Sequence, residues 1–299
     1  MRRIGAADCT ALRGAAMCEA CRMELTKFGV WIGRALQEEQ YAGAASLAQE
    51  LGFGTLWLGG SPRLPKLRPM LEATDELVIA TGIVNIWQYE GTELAAEFAA
   101  LETDFPGRLL VGIGIGHPEA TSEYQKPLTK TREFFDEIAA SEQPIPRERM
   151  VLAALGPKML DLSFERSLGT HPYFTPPEHT RFARERLGPK ALVAPEQSVV
   201  VDSDPVSALE KARAYAGPYL TRTNYTSNLK RFGFTDEDIA DGGSAGTIDQ
   251  LVPQGSGEQV AAAVRAHLDA GADHVCVQTV GVTGVPIREW TEVAAALIG

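Results

Sequence analysis

The chain has 299 residues, and 28 Lys and Arg stand against 39 Asp and Glu, so the formal net charge at pH 7 is −11. Domains that bind nucleic acid usually carry a basic face, and this balance argues against such a partner. Hydrophobic residues make up 44% of the sequence and charged residues 22%, which is typical of a globular protein and not of a disordered one. No segment approaches the roughly 20 apolar residues of a membrane-spanning helix, so we expect no membrane association.

The first 24 residues show neither helical nor strand periodicity. We interpret them as an unstructured tail before one domain over residues 25–299. Cys18 and Cys21 in this tail have the spacing of half a zinc site, but no second pair follows and the five histidines show no ligand spacing, so no metal is predicted. Asp8 and Arg13 interrupt any signal-peptide core, which indicates a cytoplasmic protein with free thiols.

From Phe28 onward one unit recurs, namely an apolar run, a turn with Gly or Pro, and an amphipathic helix. Nearly continuous apolar runs are typical of parallel strands that are covered on both faces. The predicted strands are Phe28–Gly33, Thr55–Gly59, Val78–Asn85, Leu109–Ile115, Met150–Leu155, His171–Phe174, a run ending at Val199–Val201, and His274–Val280. One of the helices between them is predicted over Thr92–Asp104, with Thr92 as its N-cap. Eight strands that alternate with helices predict the α/β class and a (β/α)₈ TIM barrel.

The repeating unit is interrupted between Val201 and His274, before the last predicted strand. This insertion supplies a helix over Pro205–Leu220, a polar segment at Asn224–Asn228 and a glycine-rich loop over residues 241–246. An insertion at this point of a barrel either covers the substrate or adds packing helices, and the sequence leaves both readings open.

The carboxyl ends of the strands form the mouth of such a barrel, where active sites lie. These ends are rich in glycine and aromatic residues and poor in carboxylates. Glycine lets the backbone approach a flat ring closely, and an aromatic side chain stacks against one. We therefore predict cofactor contacts at Trp31, Gly59, Asn85 and Gly114.

Two successive strand ends have the pattern of a phosphate site. In Leu155-Gly156-Pro157-Lys158 a strand ends and proline opens a helix, whose free N–H groups and positive dipole end attract an anion. Lys158 adds a positive charge, and Thr175 after the next strand can donate to the same anion. The same residues also suit simple helix initiation, but two such strand ends side by side favour a ligand phosphate.

A series of short motifs is spread over the predicted barrel: Phe28-Gly29-Val30-Trp31, Ala48-Gln49-Glu50-Leu51-Gly52-Phe53 with Leu56-Trp57-Leu58-Gly59, Ala80-Thr81-Gly82-Ile83, Pro106-Gly107-Arg108 with Gly112–Gly116, Ala154-Leu155-Gly156-Pro157-Lys158-Met159-Leu160, and Asp269-Ala270-Gly271-Ala272-Asp273-His274-Val275. In their order and spacing these motifs resemble the bacterial luciferase-like family. Within that family the sequence is most similar to the branch of oxidoreductases that depend on the deazaflavin coenzyme F420.

The resemblance implies a barrel, often a homodimer, that holds the ring of 8-hydroxy-5-deazaflavin (coenzyme F420) at the strand ends. It implies a non-proline cis peptide within Thr81-Gly82-Ile83, with Gly82 and Ile83 supporting the ring, and it matches the two phosphate segments to the family's own. The implied activity is hydride transfer between F420 and a small organic substrate. Two alternatives stay open: an FMN-dependent luciferase-like monooxygenase that uses dioxygen, and a non-catalytic flavin-binding barrel.

The sequence departs from the family after the second strand. Well-studied deazaflavin dehydrogenases carry a catalytic Asp-His pair there, and this chain has Gly59-Gly60. The proton-transferring groups of sugar-phosphate and alcohol dehydrogenases are therefore missing. We predict that His117, Glu119 or His179 supplies the proton instead, because these residues follow strand ends and histidine titrates near neutral pH.

Overall fold

The computed structural model describes residues 25–33, 36–117 and 126–299. Its strands are β1 Phe28–Ile32, β2 Thr55–Leu58, β3 Val78–Thr81, β4 Val84–Asn85, β5 Leu109–Gly114, β6 Met150–Leu152, β7 Gly169–Thr170, β8 Leu192–Val193, β9 Glu196–Val201, β10 Gln254–Gly255 and β11 Val275–Thr279. Its α-helices are α1 Tyr41–Glu50, α2 Arg68–Glu72, α3 Gly91–Asp104, α4 Pro127–Ala140, α5 Pro157–Arg166, α6 Pro177–Leu187, α7 Pro205–Leu220, α8 Thr223–Arg231, α9 Asp236–Ile239, α10 Ala245–Leu251, α11 Gly257–Asp269 and α12 Ile287–Leu297.

The strands form a closed parallel barrel. Their order is β9-β11-β1-β2-β3-β5-β6-β7-β8, with β10 beside β9 and β4 beside β5. β8 and β9 belong to one run of chain, and hydrogen bonds from Ala194 N to the Thr170 carbonyl and from Glu196 N to the Pro172 carbonyl, each of 2.9 Å, continue the pairing with β7 and close the ring. The predicted (β/α)₈ barrel is confirmed.

Each strand packs on both of its faces. Alternate residues such as Trp31, Trp57 and Leu110 meet inside the barrel in one buried cluster. The residues between them, such as Val30 and Leu56, join a second buried cluster with the surrounding helices. Two buried faces explain why the strands read as continuous apolar runs in the sequence.

Several predicted strand boundaries are wrong by a few residues, and two predicted features, the sixth strand and the N-cap of α3, are placed at the wrong residues. The sixth strand is Gly169–Thr170, and the predicted run His171–Phe174 follows it as loop. Helix α3 begins at Gly91 after Glu90, so Thr92 is not its N-cap. The helix over Pro205–Leu220 is confirmed, and the predicted insertion lies between β9 and β11.

The predicted tail, with Cys18 and Cys21, lies outside the described residues. Within the described part of the chain, no helix is long and apolar enough to cross a membrane. In that same part, no group of three or more His, Cys, Asp or Glu side chains is arranged to hold a metal ion. The single-domain assignment, the homodimer and the cytoplasmic location stay predictions.

Candidate active site

The indole of Trp31 lies across the predicted ring-binding glycines at the mouth of the barrel. Trp31 is 7% exposed. A Cβ atom on Gly59 would lie 2.2 Å from Trp31 Cη2, and one on Gly82 would lie 2.2 Å from Trp31 Nε1. A Cβ atom at either position would force the Trp31 indole to shift, so the indole rests directly on both glycines. The glycines do approach a flat ring, and in this structure that ring is the protein's own indole.

The segment after β3 has the backbone that the resemblance implies, because the peptide bond between Gly82 and Ile83 is cis. The Ile83 side chain covers Gly114, where a Cβ atom would lie 2.8 Å from Ile83 Cδ1. Asn85 is held at the same rim: its backbone N–H donates to Ser61 Oγ at 2.9 Å, and its Oδ1 accepts from Trp87 N at 3.1 Å. These four predicted contact residues, Gly82, Ile83, Asn85 and Gly114, therefore lie along one edge of the mouth, which we call the Gly82 edge.

The two predicted phosphate segments are joined to each other. Helix α5 begins at Pro157 after Gly156, whose backbone is extended. A Cβ atom on Gly156 would have no described neighbour within 4 Å, so there is open space beside the start of the helix. His179 Nε2 donates to the Leu155 carbonyl at 3.0 Å and so fixes the start of α6 against the end of the β6 segment. Thr175 is 3% exposed, and its Oγ1 is buried without a partner among the described residues.

Helix α8 of the insertion covers part of the mouth. Asn224 Oδ1 accepts from His117 Nδ1 at 3.1 Å, and the Tyr225 ring lies 5.1 Å from the His117 ring. The same tyrosine packs on Phe174, with the ring centroids 5.6 Å apart. The insertion thus links the segments that follow β5 and β7, the fourth and sixth strands of the barrel. This supports the first of the two interpretations that the sequence left open, that the insertion covers the substrate.

A chain of partly buried polar groups lies under this cover. The Tyr173 hydroxyl contacts those of Tyr215 at 2.6 Å and Tyr219 at 3.1 Å, and it donates to Gln278 Oε1 at 2.9 Å. Ser198 Oγ lies 2.7 Å from the Tyr215 hydroxyl. We call these residues, together with the carboxyl group described next, the mouth network.

Glu196 ends the mouth network inside the barrel. Its Oε1 lies 2.5 Å from Ser198 Oγ, and its Oε2 accepts from Phe174 N at 3.3 Å. The residue is 1% exposed, and this burial raises the pKa of its carboxyl group to about 8, against weaker lowering by the two hydrogen bonds. The Glu196 side chain is therefore mainly a neutral carboxylic acid at pH 7.

The three predicted proton donors are placed differently. His117 is half-buried at the mouth. His179 is fully buried, and this burial lowers its pKa to about 4, so at neutral pH it is an uncharged donor that holds a backbone carbonyl. Glu119 lies outside the described residues.

Lys158, which was predicted to contact the phosphate, is exposed at the start of α5.

Sequence reasoning missed most of the mouth network. Tyr215 and Tyr219 are four residues apart on α7, and this spacing could have predicted that they share one face of the helix. Glu196 and Ser198 alternate along β9, which puts both side chains on one face of the strand. Nothing in the sequence showed that these two faces meet, because the contacts join residues far apart in the chain.

The residues present fit a phosphate-bearing coenzyme at one end of the mouth. A buried hydroxyl without a partner at Thr175 is a ready donor, and the open start of α5 supplies N–H groups to an anion. At the other end, the Trp31 indole offers an aromatic face beside the Gly82 edge.

A family model described as luciferase-like monooxygenase matches residues 26–274. A search of the curated proteins found no match. Among solved structures, an F420-dependent secondary alcohol dehydrogenase in complex with an F420-acetone adduct is similar with a TM-score of 0.72 and 16% identity, over 92% of this chain and 100% of its own. The F420-dependent tetrahydromethanopterin reductase from Methanopyrus kandleri has the same score and identity, over 92% of this chain and 99% of its own.

An FMN-bound structure is similar over slightly less of the chain. This is the oxygenating constituent of 3,6-diketocamphane monooxygenase from Pseudomonas putida, with a TM-score of 0.58 and 13% identity, over 87% of this chain and 92% of its own. At such identities these structures share the fold. Because the family model spans most of the barrel, from before β1 to the residue preceding β11, this chain belongs to the luciferase-like monooxygenase family.

Proposed function

We propose that this protein is an oxidoreductase that uses coenzyme F420 to transfer a hydride to or from a small organic substrate. The observation that carries the proposal is the buried Thr175 hydroxyl, which has no partner among the described residues and lies in the segment joined to the start of α5. A coenzyme phosphate would accept from this hydroxyl and from the backbone N–H groups of Gly156 and Lys158.

The choice of F420 over FMN rests on two supports. The two F420-dependent structures match this fold over nearly their whole length, with higher TM-scores than the FMN-bound monooxygenase. The exposed ammonium group of Lys158 beside the phosphate segment also suits the further carboxylates of the deazaflavin tail.

When bound, the coenzyme supplies the hydride chemistry, and the protein supplies orientation and a dry site. Gly82, Ile83 and Gly114 form the edge that supports the ring, with Trp31 beside them. Tyr225 of α8 and the aromatic residues beneath it keep water from the mouth. The substrate class that suits such walls is a small organic molecule with an electron-poor carbon.

A fluorescence titration of the purified protein tests this proposal, with oxidised F420 in one series and FMN in another. We expect F420 to bind at least about 10-fold more tightly than FMN, a difference of about 1.4 kcal/mol. Thr175→Val should weaken F420 binding about 10-fold or more, because a hydrogen bond to a charged group contributes about 1.5–3 kcal/mol. Lys158→Gln should also weaken it.

Lys190→Gln serves as the matched control, because Lys190 is an exposed lysine just before β8, at the opposite end of the barrel. The Lys190→Gln protein should bind F420 with the same affinity as the wild type. Preference for FMN would instead assign the protein to the dioxygen-dependent monooxygenases. Binding of neither molecule would leave a barrel without this redox function.

A further inference from the structure

The mouth network connects the barrel interior to the proposed substrate site. We propose that it is a proton relay in which Glu196 stores a proton and passes it through Ser198 and Tyr215 to Tyr173, which gives it to the substrate. This inference rests on the proposed function, since it concerns the proton that accompanies the hydride.

The geometry of the relay is continuous. The oxygen separations from Glu196 Oε1 to Ser198 Oγ, from Ser198 Oγ to the Tyr215 hydroxyl, and from there to the Tyr173 hydroxyl are 2.5, 2.7 and 2.6 Å. All three are hydrogen-bond distances for O–H donors. No water molecule is needed to bridge any step.

Proton counting favours one direction. A serine hydroxyl has one proton, and Ser198 contacts both the Glu196 carboxyl and the Tyr215 hydroxyl. If Ser198 donates to Tyr215, the carboxyl must donate to Ser198. Since Glu196 Oε2 accepts from Phe174 N, the carboxyl proton belongs on Oε1, which faces Ser198. The Tyr215 hydroxyl lies 2.6 Å from the Tyr173 hydroxyl and 3.2 Å from Gln278 Oε1, so we assign its proton to the shorter contact with Tyr173. Tyr173 then donates outward to Gln278 in the resting protein.

The outer end of the relay reaches the proposed ring site. Tyr173 follows β7 at the mouth and is partly exposed, and its ring centroid lies 5.5 Å from that of Trp31. Trp31 in turn contacts the Gly82 edge. A substrate beside the coenzyme ring can replace Gln278 as the acceptor of the Tyr173 proton.

The chemical step balances without a further reactant. Reduction of a C=O or other C=X bond takes up one hydride, which the reduced coenzyme supplies, and one proton. The hydride forms a new C–H bond, the π electron pair moves to X, and X takes the proton of the Tyr173 hydroxyl. Tyr215, Ser198 and Glu196 each pass one proton outward, which leaves a carboxylate at Glu196, and solvent restores that proton after product release.

The groups around Glu196 are uncharged in their resting forms. They are the Ser198 hydroxyl on its own strand, Tyr173 after β7, Tyr215 of α7, Tyr225 of α8, and the buried Cys276 thiol of β11. Burial raises the pKa of Tyr173, of Tyr215 and of Cys276. No cation among them stabilises a carboxylate, and the stored proton is therefore retained at neutral pH.

Infrared spectroscopy of the coenzyme-free protein tests the stored proton directly. We expect a carbonyl band of a protonated carboxylic acid at pH 7 that disappears as the pH rises through about 8, and that is absent in Glu196→Gln. Ser198→Ala should shift this band, because the carboxyl loses its acceptor. Tyr41→Phe, which removes a hydroxyl of α1 outside the mouth network, should leave the band unshifted. Absence of the band at pH 7 overturns the proposal.

The relay itself is tested with reduced F420 and the electron-poor aldehyde 4-cyanobenzaldehyde, whose C=O bond takes up one hydride at carbon and one proton at oxygen. Tyr173→Phe should lower the rate about 100-fold, because general acids contribute about 10²-fold or more. The wild-type rate should fall as the pH rises through the Glu196 pKa. Glu196→Gln should lower the rate and abolish this pH dependence, while Tyr41→Phe, in α1 outside the mouth network, keeps the wild-type pH profile. Unchanged rates and profiles in Tyr173→Phe and Glu196→Gln overturn the relay.

The two proposals fail in distinguishable ways. Loss of F420 binding by the wild type contradicts the proposed function, and the infrared band still decides whether Glu196 stores a proton. Normal F420 binding with an ionised Glu196 at pH 7 contradicts the relay alone. Failure of the wild type to reduce 4-cyanobenzaldehyde counts against the hydride acceptor class, whereas the band and its Ser198→Ala shift support the stored proton.

Discussion

Trp31 and Trp57 are partners in register on neighbouring strands, and both point into the barrel. The Trp57 N–H donates to Thr55 Oγ1 at 2.9 Å and to His274 Nε2 at 3.2 Å, at the amino end of the strands. The buried N–H of Trp31, at the mouth, has no partner among the described residues. The indole N–H of the tryptophan at the amino end of the barrel, which we call the closed end, therefore has hydrogen-bond partners. That of the tryptophan at the mouth has none among the described residues.

The rest of the two regions repeats this difference. At the closed end, His274 Nδ1 donates to the Thr26 carbonyl at 2.6 Å, and its Nε2 accepts from Thr55 at 3.0 Å. At the mouth, Thr175 Oγ1 and Thr279 Oγ1 are buried without partners in the described structure. In a (β/α)₈ barrel the amino end serves stability and the carboxyl end serves function, so the unpartnered hydroxyls of Thr175 and Thr279 lie at the end where such barrels bind their ligands.

Acid should unfold the protein through its buried histidines, which is the largest effect we expect. Burial lowers the pKa of His171, His179 and His274 to about 4 and that of His267 to about 3. An unfolded histidine titrates near 6.5, so the unfolded state binds more protons below that pH, and stability is lost as the pH falls from about 6.5 towards 4. Each histidine should cost about 2 kcal/mol at pH 5, measurable by urea unfolding at pH 7 and pH 5.

The mouth should show the opposite sign. The raised pKa of Glu196 means that the folded state binds the extra proton, so this contribution is complete below about pH 4.5 and is lost as the pH rises through about 8. Glu196→Gln should remove the loss of stability at alkaline pH and leave the loss of stability at acid pH unchanged.

For the histidines, equal stability at pH 5 and pH 7 would contradict their buried placement.

Replacing each tryptophan by phenylalanine compares the two ends directly. Trp57→Phe removes a fully buried donor to two partners and leaves a cavity, so it should lower the free energy of unfolding by about 3 kcal/mol. Trp31→Phe breaks no hydrogen bond and should cost about 1 kcal/mol, with its main effect on F420 affinity. Equal losses in urea unfolding would remove the distinction between the ends.

A double-mutant cycle tests the contact between Trp31 and the Gly82 edge. Gly82→Ala places a Cβ atom against Trp31 Nε1 and should destabilise the protein by about 2 kcal/mol. In a Trp31→Ala background the same change should cost much less, because the clash is removed. The coupling free energy from the four proteins measures this contact, and additive losses would show that the indole does not rest on Gly82.

Two threonines near the start of α6 give the smallest and cleanest contrast. Thr180 Oγ1 contacts His267 Nδ1 at 2.7 Å, and Thr180→Val should cost about 1–2 kcal/mol because a buried partner is left unpaired. Thr175→Val should leave stability within about 0.5 kcal/mol, since its hydroxyl has no described partner to lose. A large loss of thermal stability in Thr175→Val would show that this hydroxyl serves the fold.

Much of the fold could be predicted because the signals are local. Continuous apolar runs located β1, β2 and β5, and helical periodicity located α7 at its observed bounds. The sixth strand was placed wrongly because the apolar run His171–Phe174 is buried as loop, under α7 and α8. Burial without strand pairing gives the same sequence pattern as a buried strand.

The site was predictable only where one segment determines it. The start of α5 lies within a few residues of chain and was predicted from them, whereas the cis bond at Gly82 was predicted only through the family resemblance. The role of Trp31 as the ring that rests on Gly59, and the meeting of Tyr173 with Tyr215, depend on contacts between distant segments. Such contacts follow from strand order and register, which the sequence does not state.

A crystal structure of the protein with oxidised F420 tests the central claim, that the mouth is the coenzyme site, most directly. We predict the coenzyme phosphate within hydrogen-bond distance of Thr175 Oγ1 and of the N–H groups at the start of α5, with the ring beside Gly82 and Trp31. Coenzyme density elsewhere on the barrel, with Thr175 still unpartnered, would contradict it.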